Sequence, residues 1–369
     1  MEVAVRFALA AAALSCAVAC TRAAAPPAPP SSNTPEVRPV RATATLPNDP
    51  DDPAIWINRQ DPARSLIVAT VKVAAPNGAI AVFSLDGALR QLISGIDRPN
   101  NVDVEYGLDL DGTATDIAVA TERFKHALRV FAIDGKSQAL REISRRPLPI
   151  LDGAEGEAAA PMGIALYKRP RDGAVFAIVS PKTGPRSGYL WQYRLADDGT
   201  GHVGATFVRR FGDFSGAGEI EAVAVDDELG FVYYADETAG IHKWLADPDA
   251  TGADRELALF ATSGYEGDRE GLGIYSTGAD TGFVVSVDQV PGDSTIHLYP
   301  REAVRPSDRG ADVGAFRVGA DATDGLDVTS TPLGPEFPQG LLVVMNSKER
   351  NFLLVSWADV ARVLPRPAK

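Results

Sequence analysis

The sequence predicts an all-β protein built as a six-bladed β-propeller, on three observations. A phrase of two apolar strands joined by a short turn, the second ending in or beside an aromatic residue, occurs six times. Its closing aromatics, Phe83, Phe131, Tyr193, Trp244, Tyr299 and Trp357, stand 48 to 62 residues apart, which suits one four-stranded blade per phrase. A further apolar run precedes each phrase, and no long stretch of 3.6-residue periodicity competes with the strands.

Taken in order, the leading runs are Asp51-Asp52-Pro53-Ala54-Ile55-Trp56-Ile57, Asn101-Val102-Asp103-Val104, Pro161-Met162-Gly163-Ile164-Ala165-Leu166, Glu221-Ala222-Val223-Ala224-Val225, Glu270-Gly271-Leu272-Gly273-Ile274-Tyr275 and Asp324-Gly325-Leu326-Asp327-Val328. Five of the six open on an acid or amide, a poor strand former, and continue with good ones. Second strands follow at 66–69, 117–120, 175–179, 231–234, 283–286 and 341–344, and third strands at 79–83, 128–131, 189–193, 241–244, 295–299 and 352–357. Asp86-Gly87, Asp134-Gly135, Asp172-Gly173 and Asp198-Gly199 supply hairpin turns. Each unit thus has three clear strands and a variable fourth.

The ends differ from the body. Residues 1–20 hold Arg6, an Ala/Leu/Val run and Cys16 and Cys20, each cysteine behind small residues. This is the pattern of an export signal of lipoprotein type. Residues 21–42 are rich in Pro, Ala and Ser and predict a linker, so the propeller is expected over 43–369. The expected protein is exported, either held to a membrane by an N-terminal lipid in the periplasm or outer membrane, or secreted. Only one cysteine could survive processing, which excludes an internal disulfide. With 49 Asp and Glu against 36 Lys and Arg, the net charge is −13, and a nucleic-acid partner is excluded for want of a basic footprint. A closed propeller has few free edges, so a monomer is expected.

In a propeller the first strand of each blade lines the central channel. Asp51, Asp52, Asn100, Asn101, Glu221, Glu270 and Asp324 should therefore converge at one mouth of it. Crowded carboxylates need a neutralising partner, and hard oxygen donors suit Ca²⁺. The four histidines share no motif, which disfavours zinc. Lys72, Arg123 and Lys182 follow the second strands of the first three repeats. They would form a cationic wall opposite the acids of the last three, an arrangement suited to a phosphate ester bridged by metal.

Several of these segments, with Asp226-Asp227-Glu228, Tyr233-Tyr234-Ala235-Asp236-Glu237, Asp268-Arg269-Glu270-Gly271-Leu272 and Leu333-Gly334-Pro335-Glu336-Phe337-Pro338, closely resemble the β-propeller (alkaline) phytases. The match runs in order over nearly the whole folded region. The resemblance implies a Ca²⁺-dependent phosphomonoesterase of the 3-phytase type. Its substrate would be phytate, myo-inositol hexakisphosphate, hydrolysed at neutral to alkaline pH by metal-activated water. It implies Asp51 or Asp52, Glu221, Glu237, Asp268, Glu270 and Asp324 as metal ligands, with Asp52, Glu221, Asp268 and Glu270 at the catalytic centre. Lys72, Arg123, Lys182, Asn100, Asn101 and Gln289 would contact phosphate.

The chain departs from the family pattern at Ala222, where glycine is usual, at Met162, where tyrosine is usual, and at Val73, where a second lysine is usual. Met345-Asn346-Ser347 replaces a stretch that in the family helps hold a stabilising calcium, so that site is expected to be lost and folding to depend on calcium less than activity does. Two other classes share an axial acid cluster. A calcium-centred lactonase-like hydrolase has no need of three facing cations. A non-catalytic calcium-binding lipoprotein would gain stability from Ca²⁺ without turning over phytate.

Overall fold

The computed structural model describes residues 34–145, 147–301 and 312–364. The described strands form six antiparallel sheets in sequence order around an axis, the expected six-bladed propeller. Their channel-lining strands are Pro50–Trp56, Pro99–Leu110, Pro161–Lys168, Val223–Asp226, Asp268–Ser276 and Leu326–Thr329. Alternating apolar residues fill the seams between neighbouring sheets. Between blades 5 and 6, for example, Tyr275, Val285, Leu298, Leu326, Leu342 and Trp357 pack in one buried cluster. The buried aliphatic side chains contribute about 1.5–3 kcal/mol each.

The variable fourth strand has three forms. Blades 1, 3, 4 and 5 carry an ordinary one: Leu89–Ser94, Val203–Asp213, Ala258–Phe260 and Gly314–Arg317. Blade 2 splits it into Ala139–Glu142 and Leu148–Pro149, both pairing with Ala127–Asp134. In blade 6 the third strand, Asn351–Ser356, runs on into a helix, and the fourth strand is Arg41–Ala42, paired with Leu353 and Leu354. This corrects the linker expected through residue 42. Pro35 to Val37 bond to Arg317 at the edge of blade 5, Val37 is buried, and the segment then crosses to blade 6. The prolines at 35 and 39 masked it, and a sheet edge is where they are tolerated. The expected export signal, its cysteines and linker residues 21–33 lie outside the described residues. Trp357, expected to close a strand, instead opens the helix Trp357–Val363 and stacks on Tyr275 with ring centroids 3.7 Å apart.

Blades 1 to 3 share a local device. Their inner strands begin Pro50-Asp51-Asp52, Pro99-Asn100-Asn101 and Pro161-Met162-Gly163, and each shifts register just after the proline. Proline cannot donate to the ladder, and the resulting bulge turns the next side chains toward the channel mouth. A hydroxyl on the second strand fixes each bulge to the following blade. Thr70 Oγ1 accepts from Asp52 N–H at 3.1 Å and donates to the Asn100 carbonyl at 2.5 Å. Thr121 likewise links Asn101 to Met162, and Ser180 links Gly163 to Ile220.

Candidate active site

The bulges and strand starts meet at one end of the axis, where Lys72 organises the acids. Its Nζ pairs with Asp51 and lies 3.1 Å from Asp324 Oδ2 and 3.9 Å from Glu221 Oε2. Burial works against the ammonium, but Asp51, Glu221 and Asp324 outweigh it and hold the Lys72 pKa far above its ordinary value. Arg123 Nη2 stands 3.5 Å from Glu221 Oε1 and also touches Met162 Sδ. Gln289 donates to Asp324, and Lys182 pairs with Glu219. Repeats far apart in sequence therefore share one site, as expected from the leading positions of the inner strands.

Close backbone approach makes this possible. A Cβ on Gly163 would lie 1.9 Å from the Glu221 carbonyl oxygen, and one on Gly325 would lie 2.5 Å from Asp52 Oδ1. Any side chain at either place would push Glu221 or the Asp51-Asp52 pair out of position.

The carboxylates at this mouth are poorly satisfied by the protein. Glu270 is buried, and its Oε2 has no hydrogen-bond partner. Both oxygens of Asp51 lack one apart from the Lys72 ion pair. Burial, with the neighbouring acids, pushes Asp51 and Glu270 well above the ordinary carboxyl range and raises Glu221. Glu237, which accepts Glu219 N–H at 2.8 Å, is pushed up to about 7, chiefly by burial and then by its acidic neighbours. Asp268 stands exposed at the rim, within electrostatic reach of Glu237.

A second set of acids lines the same channel deeper down, and its surroundings are different. Asp327 accepts Ile55 N–H at 2.7 Å and Val328 N–H at 2.6 Å. Asp103 accepts Leu166 N–H and Val104 N–H, both at 2.7 Å. Asp227 accepts Lys168 N–H at 3.0 Å and shares a hydrogen bond with Glu105. Asp327 and Asp103 each tie their own blade to the next, and Asp227 ties blade 4 back to blade 3. Asp52 shares this character: Oδ2 accepts Val102 N–H at 3.0 Å, and Asn101, itself bonded to Asn100, adds a second bond. Of the adjacent pair, Asp51 faces Lys72 and Asp52 joins blade 1 to blade 2.

A family model described as Phytase matches residues 3–366. The chain belongs to the phytase family. It is 32% identical over 333 residues to the 3-phytase of Bacillus subtilis (strain 168), covering 85% of this chain and 81% of that protein. Among solved structures, a luciferin-regenerating enzyme is similar at 11% identity and TM-score 0.49, over 87% of this chain and 94% of that one. A chain of a mitotic checkpoint complex is similar at 14% identity and TM-score 0.47, over 93% and 98%. Family membership rests on the first two findings alone.

The donor set fits a hard divalent cation, since the expected ligands are all carboxylates and those of Asp51 and Glu270 are buried with orphaned oxygens, while Met162 Sδ lies against Arg123. Among the described residues, no three acids are gathered closely enough to enclose an ion as they stand. The Lys72 ammonium takes the position between Asp51, Asp324 and Glu221.

Sequence reasoning missed the hydroxyls of Thr70, Thr121 and Ser180, although their recurrence two residues before Lys72, Arg123 and Lys182 was visible. It also missed Arg269. That buried guanidinium donates to the Glu237 carbonyl at 2.6 Å and to Ala261 at 2.9 Å, and so places the Glu237 loop. Glu219, partner of Lys182, precedes Glu221 by two residues, and Asp49 accepts the Lys72 N–H through its carbonyl at 2.8 Å.

Proposed function

We propose that the protein is a 3-phytase-type phosphoric monoester hydrolase acting on phytate, and that it does so as a Ca²⁺-dependent enzyme. Membership of the phytase family and identity to a 3-phytase support the reaction. The observation that carries the calcium dependence is the set of buried, unsatisfied carboxylate oxygens of Asp51 and Glu270 beside Glu221 and Asp324.

In this reading Asp51, Glu221, Glu237, Asp268, Glu270 and Asp324 hold calcium. Bound there, Ca²⁺ supplies Lewis acidity and cancels charge between a −13 protein and a polyanionic substrate. The protein's own residues do the rest. Lys72, Arg123 and Lys182 grip phosphate oxygens once an anion competes for them with their carboxylate partners. Asn100 and Asn101 lie beside them, and Gln289 orients Asp324. In the ion-free site Glu237 holds a proton up to about neutral pH, and it gives that proton up when it ligates calcium.

Phosphate release from phytate by the purified domain near neutral pH, with millimolar Ca²⁺ and with excess chelator, tests both parts. Release only with Ca²⁺ supports the whole reading. Release in chelator removes the calcium requirement, and no release by folded protein under either condition overturns the enzymatic reading. Export and lipid attachment at Cys16 or Cys20 belong to the same proposal, and mass analysis of the mature N-terminus tests them.

A further inference from the structure

The face opposite the acidic mouth carries a separate cleft of about 550 Å³ in the seam between blades 1 and 2. It opens where the first strand of blade 1 ends at Trp56 and the third strand of blade 2 ends at Asp134. Arg59, Arg64 and Lys136 line it together with Asp61, Asp116 and Asp134, so it is formally neutral. What it can bind depends on which of these groups are already engaged.

The acids are engaged. Asp116 accepts from Trp56 Nε1 and from Gly107 N–H, both at 3.0 Å, and Asp134 accepts from Lys136 N–H at 2.9 Å and from Ser137 Oγ at 2.7 Å. Asp61 remains, and it is exposed. The donors are largely free. Among the described residues the Lys136 ammonium has neither an ion pair nor a hydrogen bond, and Arg59 meets only the face of Tyr106, 4.1 Å from Cζ to the ring centroid. Arg64 makes one bond, from Nη2 to the Lys136 carbonyl at 2.9 Å.

Asn58 points the same way. It is 8% exposed, and its Oδ1 accepts from Gln60 N–H at 3.0 Å and from Asp61 N–H at 3.1 Å, which fixes the amide with Nδ2 turned to the cleft. That Nδ2 donates to no described atom. A buried amide donor is costly to leave without an acceptor, and the protein supplies none here. Beside it Gly135 keeps the floor open: a Cβ there would lie 3.3 Å from Nδ2 and 2.6 Å from Trp56 Cη2.

We propose that this cleft binds a small organic oxyanion, a carboxylate or a phosphate ester, at a site remote from the catalytic mouth. Asn58 Nδ2 and the Arg64 guanidinium take its oxygens, Lys136 and Arg59 complement its charge, and its carbon body rests on the Trp56 edge that Gly135 leaves bare. A ligand rich in acceptors meets free donors here, whereas an organic cation would meet carboxylates that already have partners. The site stands apart from the phytate reading, because none of its residues belongs to the mouth.

The test titrates orthophosphate, and separately succinate, into the purified protein in chelator at constant ionic strength, followed by indole emission and by calorimetry. Wild type should saturate with at least one probe. Asn58→Asp keeps the acceptor for the Gln60 and Asp61 N–H groups but puts a negative oxygen where the donor was, so it should abolish binding while phytate turnover in Ca²⁺ stays unchanged. The double variant Arg64→Gln with Lys136→Gln, at two exposed positions, should weaken binding by on the order of tenfold or more, the scale of a lost charge-assisted contact. Lys72→Met should leave it unchanged. Saturation with succinate alone or orthophosphate alone supports the site and assigns its anion. No saturation with either probe, an Asn58→Asp protein that binds as wild type does, or binding lost in Lys72→Met and kept in the double variant overturns the proposal. If Asn58→Asp melts lower than wild type, the double variant decides by the same criterion.

Discussion

Two sets of carboxylates line one channel, and they differ in what satisfies them. Asp103, Asp227 and Asp327 receive backbone N–H groups from adjacent blades at 2.7 to 3.0 Å. Asp51 and Glu270, nearer the mouth, receive none among the described residues, and the cation that faces them is Lys72. The ionisable group is a carboxyl in both sets, and burial raises the pKa in both. An acid bonded to the next blade is part of the frame. An ionised acid left without such bonds in a low-dielectric place destabilises the fold until a proton or a cation neutralises it.

Exchanging losses between the sets is the strongest test of that difference. Glu270→Ala should cut kcat on the order of a thousandfold, as loss of a group acting in the transition state does, while leaving the melting temperature unchanged or slightly higher. Asp327→Ala strands the N–H groups of Ile55 and Val328, which costs about 2–6 kcal/mol in stability at roughly 1–3 kcal/mol per group, with kcat retained at temperatures where the protein stays folded. Thermal melts and kinetics on both variants check this. Equal destabilisation by the two would abolish the distinction.

The same difference marks the limit of what could be read from the chain. The six repeats were legible because propeller strands write their period in apolar runs, and the acids were legible because they open those runs. Family resemblance then supplied Glu237 and Asp268, which no repeat position singles out. What remained hidden depends on hydrogen-bond partners supplied by another blade. Asp51 and Asp52 are neighbours in an identical local sequence context, yet one faces Lys72 and the other Val102, and only the register shift after Pro50 separates them. The closing strand was hidden for a related reason: Arg41–Ala42 has no period of its own and becomes a strand only because blade 6 offers an open edge.

The deeper acids also predict a pH dependence. Burial pushes Asp103 and Asp227 up to about 8 and Glu105 and Asp327 up to about 7. Carboxyls raised in the folded state favour folding while they stay protonated. Stability should therefore decline as pH rises from about 4, where the unfolded groups ionise, and level off above about 8, where the folded groups have ionised too. Melting scans in chelator from pH 5 to 9 should show that fall, and Asp103→Asn, which keeps a carbonyl acceptor without the charge, should flatten it. A melting temperature that climbs across this range would show that the backbone bonds, which lower these pKa values, outweigh burial.

A smaller effect, and a sharper one for the mouth, concerns Lys72. Its ammonium sits where three carboxylates would otherwise repel one another, so it competes with any cation that they attract. In the proposed enzyme it must leave that position, at least in part, to reach substrate phosphate. Lys72→Met removes the competitor and the phosphate contact together. Calcium affinity measured by calorimetry should therefore rise several-fold, while KM for phytate rises about tenfold through loss of one charge-assisted contact and kcat falls much less than in Glu270→Ala. Opposite shifts in metal and substrate affinity from one substitution are hard to obtain from a merely structural lysine, whose loss would weaken both. Weaker calcium binding in Lys72→Met would mean that the ammonium holds the acids in register for the ion, so that the bare carboxylates of the mouth owe their geometry to it.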